Sequence, residues 1–178
     1  MDQFETVIST LMEKENYWVR QSFKVCLTKE EKTQIGKPNM PRPEIDVLGL
    51  DFARNELLVM EVKSYLDSPG VRFNRLTEIH DTPTGKYKLF TCVRYREITF
   101  SRLRRNLVAA GMINQDTKLI LGLAAGKVHG GEEKIRNWME SQGWLFWAPK
   151  DIKNKLSDLA KSDYENNVSV ITAKILNR

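Results

Sequence analysis

Glu44-Ile45-Asp46-Val47-Leu48-Gly49-Leu50, then the turn Asp51-Phe52-Ala53-Arg54-Asn55-Glu56, then Leu57-Leu58-Val59-Met60-Glu61-Val62-Lys63-Ser64 is the stretch on which the fold turns. Both apolar runs have the length of strands, and the polar turn between them predicts a hairpin. Asp46 interrupts the first run, and Glu61 and Lys63 interrupt the second. Residues i and i+2 share a strand face, with Cα atoms roughly 6.6 Å apart, so Glu61 and Lys63 point together to one side. Hairpin pairing then brings Asp46 beside Glu61, placing two carboxylates and one ammonium near one end of a sheet. Charges buried in this way cost several kcal/mol each unless paired or bound to metal. One ion pair with Lys63 leaves a second carboxylate uncompensated. Either a structural charge cluster or a divalent cation on hard oxygen ligands meets that requirement.

Outward from the hairpin, the other elements follow from periodicity. Phe4, Val7, Ile8, Leu11 and Met12 recur with helical spacing, and the helix is expected to end near Asn16. Tyr17–Thr28 alternates as a strand. Lys29–Pro43, with Gly36, Pro38, Pro41 and Pro43, reads as a loop near any functional cleft. Tyr87–Val93 reads as an irregular extra strand and Ile98–Ala110 as a helix. Leu119–Ala124 is a continuous apolar run, the mark of a central strand buried on both faces. Glu132–Gln142 is a helix closed by Gly143, Trp144–Trp147 a strand, and Pro149–Lys161 a helix with proline in its first turn. Val168–Leu176 reads as a final helix.

The resulting fold class is α/β: a helix, three strands, a helix and a strand form a mixed central sheet flanked by helices, with further α/β elements appended. One domain over residues 1–178 is expected, with a core over about 1–125 and a C-terminal extension over about 126–178. The 178 residues are 41% apolar and 29% charged, which excludes a disordered chain. No apolar run is long enough to span a membrane, and the acidic start is unlike a signal peptide. Cys26 and Cys92 lack metal-ligand spacing, so a reducing cytoplasm is the expected setting. With His80 and His129 the only histidines, chemistry falls to carboxylates and basic residues.

The formal net charge is +5, and Arg72 to Arg105 holds nine basic residues against Glu78, Asp81 and Glu97. That concentration points to a polyanionic partner, with Arg72, Arg75, Arg94, Arg96, Arg102 and Arg105 as candidate backbone contacts. Gly122–Val128 only glances at a phosphate-binding loop, since Val128 replaces the required Ser or Thr. Trp138, Trp144, Phe146 and Trp147 read as core.

Arg42-Pro43-Glu44-Ile45-Asp46, a 14-residue gap, and Glu61-Val62-Lys63 resemble the motif of the PD-(D/E)xK nuclease superfamily, which includes restriction endonucleases and archaeal Holliday-junction resolvases. Here the proline stands three positions ahead of Asp46. The resemblance implies a restriction-endonuclease-like core and a Mg²⁺-dependent endonuclease hydrolysing DNA phosphodiester bonds, with Mn²⁺ able to substitute. It implies Asp46, Glu61 and the Val62 carbonyl as metal ligands and Lys63 as a catalytic residue. Glu5 in the first helix would complete the site, with Glu15 and Glu44 as the other candidates. Cutting both strands with one site per chain calls for a homodimer or two separate events. The alternative is a non-catalytic nucleic-acid-binding module of the same fold.

Overall fold

A computed structural model describes residues 2–177. In chain order its elements are α1 (Gln3–Lys14), β1 (Trp18–Lys24), α2 (Lys29–Gln34), β2 (Glu44–Asp51), β3 (Glu56–Lys63), β4 (Val71–Arg72), α3 (Phe73–Leu76), α4 (Lys88–Thr91) and α5 (Val93–Ala109). They continue with β5 (Lys118–Ala125), β6 (Val128–His129), α6 (Glu133–Ser141), β7 (Leu145–Trp147), α7 (Pro149–Lys161) and α8 (Val168–Leu176).

The hairpin forms as expected. β2 and β3 pair antiparallel from Asp51 opposite Glu56 to Val47 opposite Met60, and Asn55 takes the left-handed conformation in the turn (φ 52°). β1 pairs antiparallel with β2, while β5 pairs parallel with β3 and β7 parallel with β5. The result is a mixed five-stranded sheet in the order β1-β2-β3-β5-β7. Parallel neighbours need a crossover. The segment carrying α3, α4 and α5 supplies it between β3 and β5, and α6 supplies it between β5 and β7.

Strand alternation sorts the side chains into two cores. Leu48, Leu50, Leu57 and Val59 pack with Leu89 and Phe90 of α4, Leu103 and Leu107 of α5, and Ile135 and Met139 of α6. On the other face, Val47, Leu58, Met60 and Val62 pack with Ile8, Leu11 and Met12 of α1, Ile152 and Leu159 of α7, and Val170 and Ala173 of α8. Gly49 lies where α1 crosses the sheet; a Cβ there would collide with Met12 and Tyr17.

The ends of α1 and α6 fall where the sequence placed them, with Asn16 (φ 66°) and Gly143 (φ 69°) turning the chain left-handed. Trp144 stands edge-on to Phe90 and Trp138, and Phe146 and Trp147 are buried, in keeping with core roles. Among the described residues no helix is long and apolar enough to cross a membrane.

Three expectations are corrected. Lys29–Pro43 is not loop throughout: α2 opens it, because Thr28 Oγ1 accepts from the Glu31 amide (3.2 Å) while the Thr28 amide donates to Glu31 Oε2 (2.9 Å). Tyr87–Val93 is not a strand but contains the single turn α4, and α5 begins at Val93, five residues before the expected start. Its exposed Val93, Arg94 and Glu97 carry little apolar periodicity. A two-stranded β4–β6 pair and the short α3 carried no sequence signal, since strands of two residues have no alternation to detect.

Candidate active site

The hairpin register continues one step beyond Val47 and Met60, placing Asp46 opposite Glu61 on the face that packs against α5. The Asp46 carboxylate leaves the ladder pattern and accepts from the Val62 amide (2.7 Å). Within a strand, the N–H and C=O of one residue point to the same neighbour. The Val62 carbonyl therefore faces the Asp46 side, whereas the Lys63 carbonyl turns to β5 and accepts from the Gly126 amide (2.9 Å). A Cβ on Gly126 would strike the Ser64 carbonyl, so the residue after β5 must be small for the strand ends to close together.

Lys63 Nζ is ion-paired to Glu61 and lies 3.8 Å from Asp46 Oδ2. The three side chains are only 15–19% exposed. They form the floor of a cleft of about 920 Å³ at the end of the sheet. Its walls come from Gly36–Glu44 on one side and from Pro83, Gly85, Lys86, Lys88 and Leu89 on the other, with Ser64, Tyr65 and Tyr95 between. The proline-rich loop thus borders the cleft as expected.

Burial drives the electrostatics. It raises the Asp46 carboxyl above the ordinary aspartate range against the pull of Lys63 and the Val62 amide. Burial likewise raises Glu61, and the Asp46 charge adds to it. At Lys63 burial opposes the charged form, yet Glu61 and Asp46 together outweigh it and hold the ammonium above the usual lysine range. Lys63 is consequently a fixed cation at neutral pH, suited to stabilising negative charge and poorly suited to removing a proton. Tyr95, on the α5 wall, is pushed up to about 12 by burial and the Glu61 charge.

The candidates for a further carboxylate separate cleanly. Glu5 lines the cleft from the first turn of α1, reaching the floor around the sheet end from the opposite face; burial and Asp46 raise its carboxyl. Glu44 lines the cleft's edge, exposed, 3.9 Å from Lys24. Glu15 lies at the other end of α1, ion-paired to Lys155, and does not line the cleft. Asp2, which caps α1 by accepting from the Phe4 amide (3.0 Å), also lines it. Sequence periodicity gave no reason to single it out.

The six candidate arginines fall in different surroundings. Arg102 is spent on Glu31, with Nε 2.9 Å from both carboxylate oxygens, and so fastens α2 to α5. Arg96 is half-buried, donates to the Leu89 carbonyl (2.9 Å) and lies over the Trp144 ring (4.8 Å). Arg75 is exposed and paired with Glu78 at 2.9 Å. Arg72, Arg94 and Arg105 are exposed, but none lines the cleft. The cations that line it besides Lys63 are Lys37, Arg42, Lys86 and Lys88. Lys86 and Lys88 lie within the basic segment; Lys37 and Arg42 lie in the loop before β2, where charge counting had no reason to look.

No family model and no curated protein matches the chain. Among solved structures it is similar to the crystal structure of a protein of unknown function, AF1548, at a TM-score of 0.41 and 12% identity. That match covers 88% of this chain and 66% of that one.

Proposed function

We propose that the protein is a metal-dependent nuclease that hydrolyses DNA phosphodiester bonds, built on a restriction-endonuclease-like core. The observation that carries this reading is the convergence of Asp46, Glu61 and Lys63 on an otherwise apolar sheet end, at the floor of a cleft edged by Lys37, Arg42, Lys86 and Lys88. The floor is acidic and the edge basic, the charge order that a phosphodiester and a bridging cation require.

The donor set fits Mg²⁺. Among the described residues no group of three or more His, Cys, Asp or Glu is placed to hold an ion, but Mg²⁺ binds through one or two carboxylates and fills its remaining positions with water and substrate phosphate. Asp46, Glu61 and the Val62 carbonyl would hold it, and it would supply the charge that polarises the phosphodiester and acidifies a water. Mn²⁺, of similar ligand preference, is expected to substitute. Lys63, fixed and protonated, stabilises the negative charge that develops on the phosphoryl oxygens. The edge cations hold the backbone.

The test is incubation of linear duplex, single-stranded, flap and four-way-junction DNA with Mg²⁺ or Mn²⁺, with a chelator control. Metal-dependent cutting is expected, falling about 10²- to 10³-fold in Lys63→Ala. Cutting that survives Lys63→Ala and Asp46→Asn alike would end the proposal. The closed Glu61–Lys63 ion pair favours a second reading, a binding module without catalysis. Such a module binds DNA equally well with and without chelator and cuts none.

A further inference from the structure

The nuclease reading leaves unused an aromatic ring beside the reactive groups. Tyr65 follows Lys63 by two residues and lines the cleft. Its backbone is left-handed (φ 46°), a conformation that is costly for a bulky residue and persists where the surroundings enforce it, commonly at functional sites. Its surroundings here are the core on the α5 side of the sheet, against which the ring packs. Lys86, exposed at the cleft edge, holds its ammonium 5.2 Å from the ring centroid. The ring thus has one side on the core and a face accessible to an exposed, flexible cation. A contact of that kind at an exposed site is worth only about 0.5–1 kcal/mol and is readily exchanged.

The walls restrict what can reach this floor. Asp46, Glu61 and Lys63 are nearly buried between the proline-rich loop and the 83–88 segment. A phosphodiester entering there must bring its base along. We propose that Tyr65 is a stacking platform for an unpaired base next to the scissile phosphate, so that the site acts on DNA that is single-stranded or locally unpaired where it is cut. The base takes the ring face now under Lys86, and the displaced ammonium turns to the neighbouring phosphate. This inference rests on the nuclease reading and names its substrate class.

The experiment measures binding by fluorescence anisotropy, with Ca²⁺ in place of Mg²⁺, of a labelled single strand and a blunt duplex of the same sequence. Wild-type protein is expected to prefer the single strand. Tyr65→Leu weakens single-strand binding about 5- to 100-fold and leaves duplex binding unchanged, while Tyr65→Phe, which keeps the ring, stays near wild type. A single strand carrying 2-aminopurine is expected to lose fluorescence on binding wild-type protein as its base stacks. Equal single-strand affinity of Tyr65→Leu and wild type, a wild-type preference for duplex, or an unquenched 2-aminopurine each overturns the proposal. If Tyr65→Leu does not fold, as a melting curve would show, the wild-type preference and the quenching decide. Failure of the nuclease reading shows separately, as the absence of metal-dependent cutting or as cutting that survives Lys63→Ala and Asp46→Asn alike.

Discussion

Asp46 and Glu61 are held in an environment that disfavours their charge, and that has a measurable sign. A carboxyl raised in the folded state binds its proton more tightly there than in the unfolded chain, so folding loses stability as pH climbs from the ordinary carboxylate range through the raised value. Asp46→Asn keeps an acceptor for the Val62 amide and removes the buried charge. In metal-free buffer at pH 8 it is expected to raise Tm by about 2–4 °C, equivalent to about 1 kcal/mol, while abolishing metal-dependent cutting. The gain shrinks as pH falls through the raised value and the wild-type carboxyl takes up its proton; a pH series of thermal melts checks both. Lys63 carries the opposite sign. Its raised value contributes stability that is fully present below the ordinary lysine pKa and is lost as pH rises through the folded one. A Tm lowered at pH 8 by Asp46→Asn would show that the ion pair outweighs desolvation.

At the scale of elements, α2 shows how a short helix persists with little apolar content. Glu31 closes the capping box with Thr28 and also binds Arg102 of α5, while Ile35 is fully buried just beyond the helix. Burial opposes ionisation of Glu31, but the Arg102 hydrogen bond and the Thr28 amide outweigh it and hold the carboxyl below the usual range. Its stabilisation is present above the ordinary glutamate pKa and is lost as pH falls through the lowered value. Thr28→Ala is expected to cost about 1 kcal/mol through the cap alone. Glu31→Ala should cost more, about 2–3 kcal/mol, since it also leaves Arg102 unpaired. Equal losses in urea titrations of the two variants would mean that the Arg102 contact contributes nothing. Because α2 leads into the proline-rich wall of the cleft, Glu31→Ala should also loosen the site from a distance.

For the whole molecule, the proposed DNA binding turns on which cations line the cleft. Lys37, Arg42, Lys86 and Lys88 line the cleft, whereas Arg96 and Arg102 are tied into the structure. Replacing any one of the cleft cations by Ala should reduce the slope of log Kd for DNA against log salt by about one. Arg96→Ala and Arg102→Ala should instead lower Tm and leave the slope alone. The reverse pattern would relocate the binding face to the outer surface of α5. Charge counting found the basic excess but not its direction, because a guanidinium 71 positions away from its carboxylate partner gives no local sign of being occupied.

The sequence by itself determined the α/β class, the β2–β3 hairpin and the meeting of Asp46, Glu61 and Lys63. These are matters of strand alternation, a turn and a register, all fixed within some twenty residues. It also marked the loop before β2 as a border of the cleft. Only the tertiary structure decided that Glu5 reaches the cleft while Glu15 is drawn to Lys155, that Asp2 and Tyr65 belong to it, and which basic residues remain at its edge. Those choices depend on how α1 crosses the end of the sheet and how the 64–92 segment folds back over it. Contacts between elements far apart in the chain set both, and no local pattern of residue types records them.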